Sequence, residues 1–176
     1  MRSEGALLIV TAVMFILLGI AAIVAPLFAG LAISAFIGGL LMAAGLAHII
    51  SVLSRDDGGV VLHVALGLVY ACGGLYFLSN PALGLIALTL LLAVMLFVEA
   101  GIELVAYSAQ RREPGAVWLL VNAFITAALG ILIAMRWPAA AAWAIGTLVG
   151  VNLITTGVSR LMLGASVWRS LRALKV

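Results

Sequence analysis

The chain has 176 residues, 66% of them hydrophobic and 9% charged, with nine Lys/Arg against six Asp/Glu for a net charge of +3. A soluble domain is roughly 45–50% apolar and about 25% charged, so too few polar groups remain here to coat a surface facing water. A soluble enzyme, a nucleic-acid binder and a disordered chain are excluded, and the basic residues are too sparse for a phosphate-tracking patch.

Six apolar runs follow in order, at about 5–25, 27–53, 60–79, 82–108, 116–136 and 139–163. Each is close to the ~20 residues a helix needs to cross a bilayer. A cleaved signal peptide competes for the first run, but Arg2 is offset by Glu4 and the apolar stretch is long for a signal. Pro26, Pro81 and Pro138 stand at the openings of the second, fourth and sixth spans. Proline is tolerated in a helix's first turn, where its missing N–H would lack a partner anyway, so three tight hairpin turns are expected there. The other two connections are polar: Ser54-Arg55-Asp56-Asp57-Gly58-Gly59 and Gln110-Arg111-Arg112-Glu113-Pro114-Gly115. Arg2, Arg55, Arg111, Arg112, Arg169, Arg172 and Lys175 fall on one side, with Arg160 near that side's end of span six, and Arg136 falls on the other. That bias predicts cytoplasmic termini. In the last stretch, 164–176, Trp168, Leu171 and Leu174 recur every three residues, as do Arg169, Arg172 and Lys175. A short basic amphipathic tail suited to an anionic leaflet is expected, with a frayed basic tail as the alternative. The single cysteine, Cys72, allows no internal disulfide and lies mid-span, where inert packing is expected.

The spans repeat. Gly19 and Gly74 each precede Pro26 and Pro81 by seven residues, Gly130 precedes Pro138 by eight, and Gly45, Gly101 and Gly157 lie 56 apart. The expected fold is an all-α membrane protein whose six transmembrane helices form three tandem helical hairpins, about 5–53, 60–108 and 116–163, with a pseudo-threefold repeat. Hairpins of one orientation are direct repeats about the membrane normal, unlike the inverted repeats of many secondary transporters. Residues 1–163 form the membrane domain and 164–176 the tail. Gly146 with Gly150, and Gly39 with Ala43, are small-xxx-small pairs; close backbone approach drives helix association in lipid. They serve either packing within the chain or a homo-oligomer.

The run Gly130-Ile-Leu-Ile-Ala-Met-Arg-Trp-Pro138, then Trp143-Ala-Ile-Gly146 and Gly157, with weaker copies in the first two hairpins, resembles the HdeD family of six-span bacterial inner-membrane proteins. The resemblance covers nearly the whole chain and implies an acid- or stress-linked role in the cytoplasmic membrane. It carries no catalytic residue.

Ionisable groups at bilayer depth cost roughly 2.5–3.5 kcal/mol at a helix centre, so they normally face protein or water. Span four has Glu99 and Glu103 one turn apart. Span six has Asn152, Thr155, Thr156, Ser159 and Arg160 in one stripe; span two has His48 and Ser51, span three His63, span five Asn122 and Thr126. All the ionisable members belong to the half carrying the basic loops. Repeat counting sets Glu103 level with Ala47 and Ser159, and His48 level with Leu104 and Arg160. A shared polar cluster of spans two, four and six is therefore expected, with Glu103–Arg160 and Glu99–His48 as candidate pairs. Three roles remain open for it. Charges that neutralise one another pin helix register; two carboxylates that repel when both charged can sense or relay protons; or the cluster holds a ligand or lipid. His63 is expected to face solvent or headgroups.

No GxSxG, HExxH, phosphate loop or Cys/His metal spacing occurs, so no enzyme, cofactor or metal is expected. The function expected is that of a non-enzymatic, stress-associated membrane protein. A small proton- or solute-conducting channel using Glu99 and Glu103, and a scaffold for partner proteins or lipids, are the alternatives. Expected partners are the bilayer, anionic lipid at 164–176 and a second copy through the Gly/Ala faces, and no nucleic acid.

Overall fold

A computed structural model describes residues 2–52, 60–113 and 115–173. It contains six α-helices: α1 (Arg2–Val24), α2 (Pro26–Val52), α3 (Val60–Ser79), α4 (Pro81–Gln110), α5 (Ala116–Met135) and α6 (Ala144–Ala173), with a 3-10 turn at Ala139–Ala142. All six spans are long and apolar enough to cross a membrane. In hydrocarbon every backbone N–H and C=O needs an internal partner, which a helix supplies within one segment. Arg55 and its loop lie outside the described residues, as do Pro114 and Lys175. The side chains expected to give residues 164–176 two faces are outside them too, apart from Ser166 and the buried Gly164. The backbone of α6 runs unbroken through Ala173, so the tail begins as a continuation of span six.

Two of the proline connections are as short as expected. Ala25 alone separates α1 from α2, and Asn80 alone separates α3 from α4. At the latter, Asn80 N–H donates to Tyr76 O at 2.9 Å and Gly84 N–H to Asn80 O at 3.0 Å, so hydrogen bonding runs through the corner. The third departs from expectation. Residues 136–143 separate α5 from α6, through a cis Trp137–Pro138 bond and the 3-10 turn. Pro138 has no N–H to continue α5, and Ala140 and Ala141, both buried, are small enough to pack as a tighter coil. The Trp137 indole N–H donates to Ile86 O at 3.1 Å, tying this connection to the first turns of α4.

The chain divides into two compact units, Met1–Gly30 with Ala142–Val176, and Leu31–Ala141. In the first, α1 packs along α6. A Cβ added at Gly19 would sit 2.7 Å from Gly150 O, and one at Gly157 would sit 2.9 Å from Ala12 O. Only glycine lets two backbones approach so closely. Gly146 meets Pro26 in the same way, so the Gly146/Gly150 pair serves packing within the chain.

In the second unit α2 packs on α3, and α4 on α5. An added Cβ at Gly74 would sit 2.7 Å from Gly38 O, and one at Gly45 would sit 2.7 Å from Gly67 O. Gly84 packs on Phe77 and on the fully buried Ser34 at the α3–α4 corner. Leu85, Thr89, Ala93, Ala100, Ala123 and Ile133 form the buried seam of α4 and α5. The tight pairs α1·α6, α2·α3 and α4·α5 thus each join the second helix of one repeat to the first helix of another.

Candidate functional site

Each helix pair carries a different polar device, and in two of the three it sits at the same repeat level. In α2·α3 the two histidines of the chain meet: their ring centroids are 6.2 Å apart at an interplanar angle of 29°. His48 also lies 5.5 Å from the Tyr70 ring. His48 Nδ1 is 3.0 Å from Ala44 O, and Ser51 Oγ–H donates to His48 O at 2.8 Å. The Nδ1 contact ties the His48 ring to the preceding turn of its own helix. Both histidines are half-buried.

In α1·α6 the Arg160 guanidinium lies over the Phe15 ring, 4.5 Å from its centroid. The ring's quadrupole attracts the cation, and the long stem covers apolar surface. By the repeat, Phe15 matches Tyr70 and Arg160 matches His48. A basic side chain on the second helix and an aromatic on the first therefore recur in two of the three pairs. The third pair has Leu104 and Thr126 at those positions, and its polar contact is elsewhere. Asn122 Nδ2–H of α5 donates to Glu103 Oε1 of α4. The other carboxylate oxygen, Glu103 Oε2, is buried with no hydrogen-bond partner.

The remaining polar residues turn outward. Glu99 is exposed; no hydrogen bond or ion pair engages it among the described residues. Asn152, Thr155 and Ser159 are also exposed on α6. There Thr155 Oγ1–H donates to Val151 O at 2.9 Å, Ser159 Oγ–H donates to Thr155 O at 2.9 Å, and Thr156 Oγ1–H donates to Asn152 Oδ1 at 3.4 Å. The stripe on α6 is thus partly satisfied within its own helix, as Ser and Thr in spanning helices often are.

Two of these contacts escaped the sequence. The His48–His63–Tyr70 group is one, since the position of His63 near the end of its span points to solvent or headgroups. The signal was available: His48 is four residues before the last residue of α2 and His63 three after the first of α3, so the connection brings the rings to one level. The other is Phe15 under Arg160. An apolar residue carries no polar signature, and the repeat's pairing of Phe15 with Tyr70 is what marks it. Among the described residues no group of three His, Cys, Asp or Glu could hold a metal ion.

A cleft of about 230 Å³ opens between α4 and α5, lined by Phe97, Ala100, Gly101, Leu104, Ala123, Phe124 and Ala127. Nothing lies within 4 Å of a Cβ added at Gly101, whereas its repeat counterparts Gly45 and Gly157 are closed upon.

These helices define a multi-pass membrane protein made of three short repeats. A family described as "Short repeat of unknown function" (DUF308) matches the chain three times, over residues 10–79, 65–135 and 132–175, and the chain belongs to that family. The first two matches begin 55 residues apart and end 56 apart. The chain is also similar to "Protein HdeD" of Escherichia coli (strain K12), 26% identical over 151 residues, 84% of this chain and 80% of the other. The same figures hold for "Protein HdeD" of Shigella flexneri. No solved structure matches.

Proposed function

We propose that this protein acts without catalysis in the acid-stress response of a bacterial cytoplasmic membrane, with both termini in the cytoplasm. The distant relation to Protein HdeD and the basic loops support that setting. The observation that carries the acid link is the imidazole pair. Histidine is the side chain whose charge ordinarily changes between pH 5 and 8. Protonating both rings sets like charges 6.2 Å apart across α2·α3, a repulsion of about 3 kcal/mol at an effective dielectric near 20. Acid would then loosen the end of a helix pair otherwise locked by glycine. Glu99, Glu103, Arg160, Asn122, Asn152, Thr155 and Ser159 supply the further polar groups of the same membrane half. The segment 164–176 would rest on anionic lipid, and the Gly39/Ala43 face, where an added Cβ at Gly39 meets nothing, would receive a second copy.

Survival of acid challenge in a host carrying the chain tests this. His48→Gln with His63→Gln should reduce survival to that of cells lacking the protein, at equal membrane abundance. Unchanged protection by the double variant would refute the imidazole reading.

A second reading, conduction of protons along α4, is favoured by Glu99, which stands exposed at spanning depth. Acid-driven lumenal pH change in proteoliposomes should then collapse with Glu99→Gln/Glu103→Gln. Identical traces from parent and variant would dismiss conduction and leave the imidazole reading intact.

A further inference from the structure

We propose that α6 carries a self-complementary seam through which two copies of this chain pair as a parallel dimer in the membrane. The side of α6 away from α1 presents Leu148, Asn152, Thr155, Ser159 and Met162, all exposed. Their spacing alternates between four and three residues throughout. That is the heptad seam of a left-handed coiled coil, in which each a or d side chain enters a hole on the facing helix. At about 100° per residue the seam lies opposite Gly146, Gly150 and Gly157, the glycines that close on Pro26, Gly19 and Ala12. One side of α6 is thus closed against its own chain, and the other is bare.

Asn152 decides what covers the bare side. It stands mid-span, about 12 Å from Ala144, where α6 begins, and about 18 Å from Gly164, where the span ends. Thr156 Oγ1–H donates to its Oδ1 at 3.4 Å, but among the described residues nothing accepts from its Nδ2–H. At that depth neither water nor an acyl chain offers an acceptor, so the amide needs another helix. A second copy meets the need directly. Inserted with the same topology, it presents the same seam at the same depth, and an amide is donor and acceptor at once. About a two-fold axis along the membrane normal, Asn152 of each copy donates to Oδ1 of the other. A single asparagine at an a position is what fixes register and the dimeric state in parallel coiled coils. No charge on the seam repels a like copy, since Arg160 is turned onto Phe15 of its own chain. This surface is separate from the Gly39/Ala43 face of α2.

The test is disulfide cross-linking of the full chain in phosphatidylcholine vesicles, on a Cys72→Ser background with single cysteines along α6. Leu148→Cys, Thr155→Cys, Ser159→Cys and Met162→Cys should form covalent dimers at least about fivefold more readily than Val151→Cys and Val158→Cys, which are exposed beside the seam. Diluting the Met162→Cys chain with lipid gives the dissociation constant of the dimer. Asn152→Leu should raise that constant about tenfold, as loss of hydrogen bonds between helices in a bilayer does. Asn152→Gln keeps both donor and acceptor and should retain most of the pairing. Cross-links without the four-three phase, cross-links confined to Ala43→Cys, an unchanged constant in Asn152→Leu, or a chain that stays monomeric would each overturn the assignment. So would copurification of a different membrane protein on α6 without self-pairing. A monomer would leave the imidazole reading standing, because His48 and His63 belong to α2·α3.

Discussion

The α2·α3 and α4·α5 pairs descend from the same repeat and yet meet differently. In α2·α3, Gly45 lies against Gly67 and Ala71, and Gly38 against Gly74, so backbone touches backbone along the seam. In α4·α5 the position matching Gly38 is Val94, and a Cβ at Gly130 would find its nearest neighbours, Leu96 and Phe97 side-chain atoms, at a comfortable 3.4 Å. There side chains face the glycine where backbone does in α2·α3, and Gly101 faces open space. In a bilayer, lipid tails are as apolar as leucine, so helices associate through close packing more than through the hydrophobic effect.

The largest expected effect comes from spoiling the closed seam. Gly45→Leu would set a Cβ 2.6 Å from Ala71 N and 2.7 Å from Gly67 O, and backbone atoms cannot swing away as a side-chain tip can. The cost should be about 3 kcal/mol or more, read as a lowered Tm in detergent. Retention of the parent Tm would mean that α2·α3 is not held together by this contact.

Next in size is the single cross-helix hydrogen bond of the open pair. Asn122→Ala strips Glu103 Oε1 of its donor while Oε2 is already unpartnered. About 1–3 kcal/mol of destabilisation is expected, and Glu103→Leu on the Asn122→Ala background should recover part of it by removing the orphaned carboxyl. A background in which the leucine recovers nothing would count against a buried, unsatisfied acceptor.

How far the sequence already spoke differs between helices and contacts. The six spans, the 56-residue period and the hairpin corners at Pro26 and Pro81 follow from apolar run length and from proline's missing N–H, both local properties. The corner at Pro138 did not, because whether a chain turns in one residue or through a 3-10 coil depends on what the small Ala140 and Ala141 are buried against. The polar side chains were legible as a list and as a level in the membrane. Their partners were less so, because a repeat period fixes height along a helix and leaves open which neighbour a side chain turns to. Arg160 turns to Phe15 and Glu103 to Asn122, in each case toward the first helix of another repeat.

A smaller effect should separate cation from ring in α1·α6. Arg160→Ala and Phe15→Ala both also remove packing, so the informative quantity is their non-additivity. A coupling of about 0.5–2 kcal/mol is expected from the guanidinium 4.5 Å above the ring. Strict additivity of the two Tm shifts would reduce the contact to apolar cover.

The smallest effect carries a change of sign. Replacing glycine by alanine inside a helix reduces the backbone freedom lost on folding and stabilises by roughly 0.5–1 kcal/mol wherever the methyl has room. At Gly101 it has room, since nothing lies within 4 Å of the new Cβ, whereas at Gly157 the methyl would meet Ile16 Cγ1 at 2.6 Å and Ala12 O at 2.9 Å. Gly101→Ala should therefore raise Tm slightly and Gly157→Ala lower it, although the two glycines occupy the same place in the repeat. A lowered Tm for Gly101→Ala would mean that α4 and α5 close on each other in the folded protein, leaving no cleft there.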